Sequence, residues 1–269
     1  MKICAIGDPH GEISKIKKIP FKGIDLILVT GDVGKADFAR NRFWENKKLR
    51  DAGLKEIKYT GKDNKFAIVE IHDSMVNVLK HTCKFAPTYT IMGNTGGSMI
   101  YNSSINKEEK RFGLKLPRLR DSLNKIEDFY LVRNAVRNID GLRIGFLEWF
   151  FDSCQNKELG YTDEYMISKA KKETEKTKRI LKNFGKLDIL VCHQPPFGYL
   201  DKVNNTFAPS SRNGKHAGSK VILNYIKKFQ PKYVFCGHIH ESEGHTKIGK
   251  TEVHNLGVAG HKIIEINKF

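Results

Sequence analysis

Five times along the chain a short apolar run ends abruptly in a polar cluster. The segments are KICAIGDPHG from residue 2, IDLILVTGDVG from 24, TYTIMGNTGG from 88, LDILVCHQPP from 187 and KYVFCGHIHE from 232. Each run has strand length and is apolar at nearly every position, as strands buried on both faces of a sheet require. Helical periodicity lies between them. Ile68, Ile71, Met75 and Leu79 repeat at helical spacing over 67–85, and 163–184 is rich in Lys and Glu. Val221, Ile222, Tyr225 and Ile226 form a stripe over 219–229 that Pro231 stops. Around FYLVRNAVRNIDGLRIGFLEWF, from 129, the pattern becomes two strands about an Asp140-Gly141 turn, a strong hairpin signal. The tail from 245 repeats it, with turns at Gly249-Lys250 and Gly257 to Gly260. Helix-linked strands mixed with hairpins predict an α/β sandwich of mixed sheets. We read residues 1–269 as a single domain, with the charged, least regular stretch at about 96–128 as an insertion or cap.

Composition narrows the class. A chain of 269 residues with 39% hydrophobic residues can bury a sizeable core, and no apolar run approaches the ~20 residues that span a bilayer. Five cysteines at 4, 83, 154, 192 and 236 form no CxxC pair, so neither a disulfide framework nor a thiolate metal site is expected. These features read as a soluble, cytoplasmic protein with no membrane partner. The net charge of +17 favours anionic partners. Because the Lys and Arg residues form no long block and are not interleaved with aromatics, they read chiefly as solvated surface, which leaves nucleic acid as the weaker partner.

The polar clusters carry the chemistry. Loops at the carboxyl ends of strands are where α/β folds collect ligands, and these supply Asp8, His10, Asp32, Asn94, His193, His238 and His240. Two carboxylates, four imidazoles and one amide carbonyl suit borderline divalent ions such as Mn, Fe or Zn, with Mn preferred. Seven side chains exceed the needs of one ion and match two. Asp8 and His10 are two apart, as are His238 and His240, a spacing that aims both side chains the same way in extended backbone.

The order D-x-H, G-D, G-N, H, G-H-x-H, from Asp8 to His240, resembles the calcineurin-like metallophosphoesterase superfamily. The resemblance implies a four-layer sandwich of two mixed β-sheets flanked by helices. It implies one ion on Asp8, His10, Asp32 and His240, and a second on Asp32, Asn94, His193 and His238, with Asp32 as the bridge. HQPPFGYLD and the later GKHAGSKVILNYIKKFQPKYVFCGHIHE are similar to the branch of MPPED phosphodiesterases, whose matching loops border the substrate cleft. The implied activity is phosphoester hydrolysis by a metal-bridging hydroxide, on a small phosphate ester or nucleotide, diesters ahead of monoesters. A nuclease of the same superfamily and a non-catalytic scaffold on this fold are the alternatives. One position departs from the pattern: Thr95 follows Asn94 where the family commonly has His or Asp, and a hydroxyl does not serve as an acid. His216, in a glycine-flanked loop between ligand-bearing strands, is the candidate replacement, so Asn94 and His216 are the candidate catalytic residues. Arg212 and Lys215 are candidate phosphate contacts. His72, His81, His245, His254 and His261 are assigned no function, and the oligomeric state is left open.

Overall fold

Two sheets lie face to face in the computed structural model, which describes residues 1–158, 163–204 and 213–266. The first contains β1 (Lys2–Ile6), β2 (Leu26–Val29), β3 (Thr88–Thr90), β4 (Phe129–Leu131) and β11 (His261–Glu265), in the order β11-β1-β2-β3-β4. Its strands run parallel except β11, which pairs antiparallel with β1. The second contains β5 (Ala135–Ile139), β6 (Leu142–Leu147), β7 (Ile189–Cys192), β8 (Tyr233–Cys236), β9 (Gly244–Ile248) and β10 (Thr251–Asn255), in the order β5-β6-β7-β8-β10-β9. Here β6, β7, β8 and β10 are parallel, and antiparallel β5 and β9 form the edges.

Strand alternation explains the layering. Ile3, Ala5, Leu26 and Leu28 of one sheet meet Ile144, Phe146, Ile189, Val191 and Phe235 of the other in a fully buried interior. The intervening residues Cys4, Ile27 and Val29 face outward, against α1 (Ile13–Ile16) and α3 (Gly61–Thr82), which contributes Ile71, Met75, Val78 and Leu79. Across the molecule, Leu190, Cys192 and Val234 face α7 (Glu164–Phe184) and α8 (Lys220–Phe229) through Leu181, Phe184, Ile222 and Ile226. Both faces of the central strands are covered, so those strands carry no polar face, while the edge strands β5, β9 and β11 expose polar residues. At about 1.5–3 kcal/mol per fully buried aliphatic side chain, this interior dominates the stabilisation.

The helix expected from Ala67 begins at Gly61. Thr60 and Asp63 form a reciprocal capping box, the Thr60 N–H donating to Asp63 at 2.9 Å and the Asp63 N–H to Thr60 Oγ1 at 3.2 Å. Asp163 and Ser219 cap α7 and α8, each accepting from the backbone N–H three residues on. Three features differ from the sequence reading. The polar segment after Asp32 forms α2 (Asp37–Asp51), which buries none of its residues and so shows no apolar stripe. Residues 97–123 are mostly helical: a 3-10 turn at Gly97–Ile100, then α4 (Asn102–Phe112) and α5 (Leu119–Leu123). Gly257 to Gly260 do not close a hairpin but carry the chain from the second sheet to β11 in the first. Among the described residues, no helix is long and apolar enough to cross a membrane.

Candidate metal centre

The parallel strands of both sheets deliver their carboxyl ends to one cleft. Asp8 and His10 follow β1, Asp32 follows β2, Asn94 follows β3, His193 follows β7, and His238 and His240 follow β8. The structure brings all seven together. Asp8, His10 and His240 place ligand atoms within 4.8 Å of one another, as do Asp8, Asp32 and His193. His10 Nε2 also lies 3.8 Å from Asp32, so both carboxylates stand between the two sets of imidazoles.

Backbone strain accompanies this convergence. His10, Asp32 and His238 have positive φ of 43°, 39° and 67°, a region that costs a non-glycine residue about 1–3 kcal/mol and clusters at functional sites. Gly93 and Gly237 explain the close approach, because a Cβ at either would collide with the Asp32 or the Asp8 carboxylate.

Asp8 is fully buried. It accepts from the Thr30 hydroxyl at 2.6 Å and the His238 N–H at 2.6 Å, and lies 3.1 Å from His240 Nε2. Burial alone would raise its pKa, but His193, His240 and His10 together hold it below the ordinary carboxylate range. Asp32 is held by a different element: Thr95 donates its N–H to one carboxylate oxygen at 2.7 Å and its hydroxyl to the other at 3.1 Å. Burial lowers the pKa of His238 strongly and that of His10 as well. Both are therefore neutral near pH 7, the form that ligates metals. In His240 the hydrogen bond and charge of Asp8 overcome burial and raise the pKa.

The polar atoms fit a divalent cation. His193 Nδ1 lies 3.0 Å from the Thr30 carbonyl, an acceptor that claims the ring proton and leaves Nε2 with its lone pair. That Nε2 points at Asn94 Oδ1 across 2.8 Å, and His238 Nδ1 points at the same oxygen across 2.9 Å. For His193, an acceptor facing an acceptor across this distance is reconciled by a cation. Both ring nitrogens of His10 are buried without a hydrogen-bond partner, a costly state for a polar atom unless an ion is its partner.

Two of these interactions were not legible beforehand. Thr30 is the residue between strand β2 and Gly31-Asp32, and reads as strand. Gln155, in α6 (Ser153–Glu158), places its Nε2 3.4 Å from His238 Nε2; the polar residues after β6 were a sixth strand-end signal, masked by the hairpin reading. His216 contacts Asp201 and Phe197. The backbone carbonyl of Lys215 accepts from Val203, and Arg212 lies outside the described residues.

Comparison with known proteins agrees with the geometry. One solved structure superposes over 98% of this chain and 94% of its own length, with a TM-score of 0.61 at 15% identity, a likeness of fold. Among curated proteins, the UPF0046 protein T07D4.2 of Caenorhabditis elegans is 39% identical over 70 residues, 26% of this chain. The UPF0046 protein K07C11.7 of the same organism is 21% identical over 179 residues, 66% of this chain. The matched segments span 16% and 55% of those relatives' own lengths. The family described as calcineurin-like phosphoesterase matches residues 1–242, a stretch that contains every strand-end residue of the cleft. The chain belongs to the calcineurin-like phosphoesterase family.

Proposed function

We propose that the chain hydrolyses small phosphodiesters with two divalent ions, Mn in preference to Fe or Zn. Asp8, His10, Asp32 and His240 would hold one, and Asp32, Asn94, His193 and His238 the other. The observation that carries this reading is the facing set of His193 Nε2, His238 Nδ1 and Asn94 Oδ1, together with the unpartnered ring of His10. The ions would supply Lewis acidity towards phosphoryl oxygens and lower the pKa of a bound water towards neutrality. The chain's own residues contribute geometry. Thr30 and the His238 N–H fix Asp8, Thr95 fixes Asp32, and the Thr30 carbonyl fixes the tautomer of His193. Asn94 presents a neutral carbonyl at the edge of the cleft, which limits the negative charge that an anionic substrate meets. The preference for diesters is supported by the likeness of the HQPPFGYLD loop to phosphodiesterases. We read the helical residues 97–123, which follow Asn94 directly, as a cap beside the cleft.

The test is protein stripped of metal, reconstituted separately with Mn, Fe and Zn, and presented with nucleotides and model mono- and diesters. Hydrolysis of diesters exceeding that of matched monoesters, highest with Mn, is the expected result. Turnover of monoesters alone would overturn the diester preference, and absence of turnover on every ester would overturn the hydrolase reading.

A further inference from the structure

If the cleft hydrolyses phosphoesters, something has to protonate the departing oxygen, and the position after Asn94 does not. The Thr95 hydroxyl is already committed to Asp32. A search for a proton donor outside the ligand cluster leads to one buried carboxylate and the imidazole that it holds. His216 Nδ1 lies 2.6 Å from Asp201 Oδ1. Asp201 is 1% exposed, and its other oxygen accepts the N–H groups of Gly198 at 2.9 Å and Gly218 at 3.0 Å. A Cβ on Gly218 would come within 2.7 Å of that oxygen, so the backbone is shaped around the carboxylate. Two backbone donors already fix Asp201, and its remaining oxygen is spent on a ring that keeps a third of its side-chain surface open. The Nδ1–H of His216 donates to Asp201, which leaves Nε2 as the atom for exchange. Phe197, with its ring centroid 5.3 Å from that of the imidazole, flanks the ring.

The location suits the task. The segment carrying His216 is joined to the residues after His193 through the Ser219 N–H to the Pro195 carbonyl and the Phe197 N–H to the Ser219 carbonyl. The loop carrying Asp201 is joined to the His238–His240 loop by Asn255 Nδ2, which donates to the Leu200 and Ile239 carbonyls, and by the Ser242 hydroxyl, which donates to the Lys202 carbonyl. The pair therefore stands where two ligand-bearing loops are fastened together.

We propose that His216 is the leaving-group proton donor and Asp201 its positioning residue, a role that rests on the hydrolase reading above. Water adds its oxygen to phosphorus, one of its protons passing to solvent and the other staying on the new P–OH. The bond from phosphorus to the ester oxygen breaks, the electron pair stays on that oxygen, and the Nε2 proton of the imidazolium binds it. His216 is left neutral with Nδ1–H on Asp201, and regains a proton from solvent.

The test uses metal-loaded full-length protein and esters graded by leaving-group pKa, from 4-nitrophenyl to a nucleoside alkoxide. Loss of a general acid costs about 10²–10⁴-fold where the leaving group is poor. His216→Ala is expected to lose activity progressively along the series, least on the 4-nitrophenyl ester and by that factor on the alkoxide, while retaining its metal by elemental analysis. Asp201→Asn should move the alkoxide rate in the same direction, and the double variant should be no slower than His216→Ala. Imidazole ¹⁵N shifts should place the neutral ring's proton on Nδ1 in the parent and lose that preference in Asp201→Asn. Should Asp201→Asn fail to fold, His216→Ala, at a partly exposed position, carries the test alone. An equal loss across the series, no loss at all, or loss of metal would overturn the donor role while leaving the hydrolase reading intact. Absence of turnover by the parent on every ester would overturn both.

Discussion

The two carboxylates of the cleft look alike in sequence, each following a strand by a glycine, yet they are held by different parts of the molecule. Asp8 is tied to the frame. Thr30 comes from the neighbouring strand of its own sheet, the His238 N–H from the opposite sheet, and the Asp8 backbone carbonyl accepts from Ala259. Asp32 is tied to a loop, because its two side-chain hydrogen bonds both come from Thr95. Asp8 thus joins the two sheets as well as offering oxygen to an ion, whereas the Asp32 backbone is tied within its own sheet, its carbonyl accepting from the His10 N–H at 2.9 Å, and its carboxylate is held by the 93–97 loop. A ligand's carboxylate can be held across the two sheets or from a single loop.

That contrast is open to direct attack. The largest effect is expected from Asp32→Ala, which on the proposed assignment removes the shared ligand and with it both ions, measured by elemental analysis, with activity falling by at least ~10²–10³-fold. Asp8→Ala should lose metal too, and should lower the unfolding free energy of the metal-free protein by about 1–3 kcal/mol through the orphaned Thr30 hydroxyl and His238 N–H, more than Asp32→Ala, whose orphaned Thr95 donors are less deeply buried than Thr30. Equal metal-free stability in the two variants would erase the distinction. Next in size is Thr95→Val, which keeps the backbone bond to Asp32 and deletes the hydroxyl bond. Metal affinity or activity should fall by about 10–100-fold, as for other groups that orient a ligand, and titration with Mn reads it. An unaltered affinity would show that the loop backbone suffices.

The smallest effect lies away from the cleft, in β10, and supplies a reference. His254 is buried beside Phe235 and His245 with Nε2 3.8 Å from Glu252, and burial lowers its pKa. A depressed histidine pKa means that the unfolded chain binds the proton more readily, so stability is complete above the ordinary value of about 6.5 and declines as pH falls below it. The urea midpoint should drop between pH 7.5 and pH 5.5, and His254→Phe should lessen that drop. A variant with the same pH dependence as the parent would locate the effect elsewhere.

Much of this was legible because the strands are buried on both faces. A strand with two apolar faces is a continuous apolar run, and the polar residue that ends it is conspicuous, which is why Asp8, Asp32, Asn94, His193 and His238 could be picked out. The same logic hid α2, which buries nothing and so carries no stripe. It also misplaced β11, since a glycine-rich turn does not say which sheet the next strand joins. Thr95 was the most instructive position. By comparison with the family it reads as an acid gone missing, yet in space it is a gain, the support of Asp32. Asp201 was visible as part of a loop motif, but its bond to His216 joins residues whose spacing carries no periodic signal.

The pairing of β11 with β1 sets a schedule for the molecule. Ile6 is opposite His261, the Gly7 N–H donates to the Gly260 carbonyl, and the Ala259 N–H donates to the carbonyl of Asp8. Asp8 is thus locked by residues made about 250 later. At ribosomal rates of about 5–20 residues per second, that delay is on the order of tens of seconds. The nascent chain must keep β1, apolar after Lys2, with one edge unpaired until β11 arrives. Closure of the Asp8 loop therefore waits for β11, so any ion gripped earlier would sit in a pocket still missing one wall.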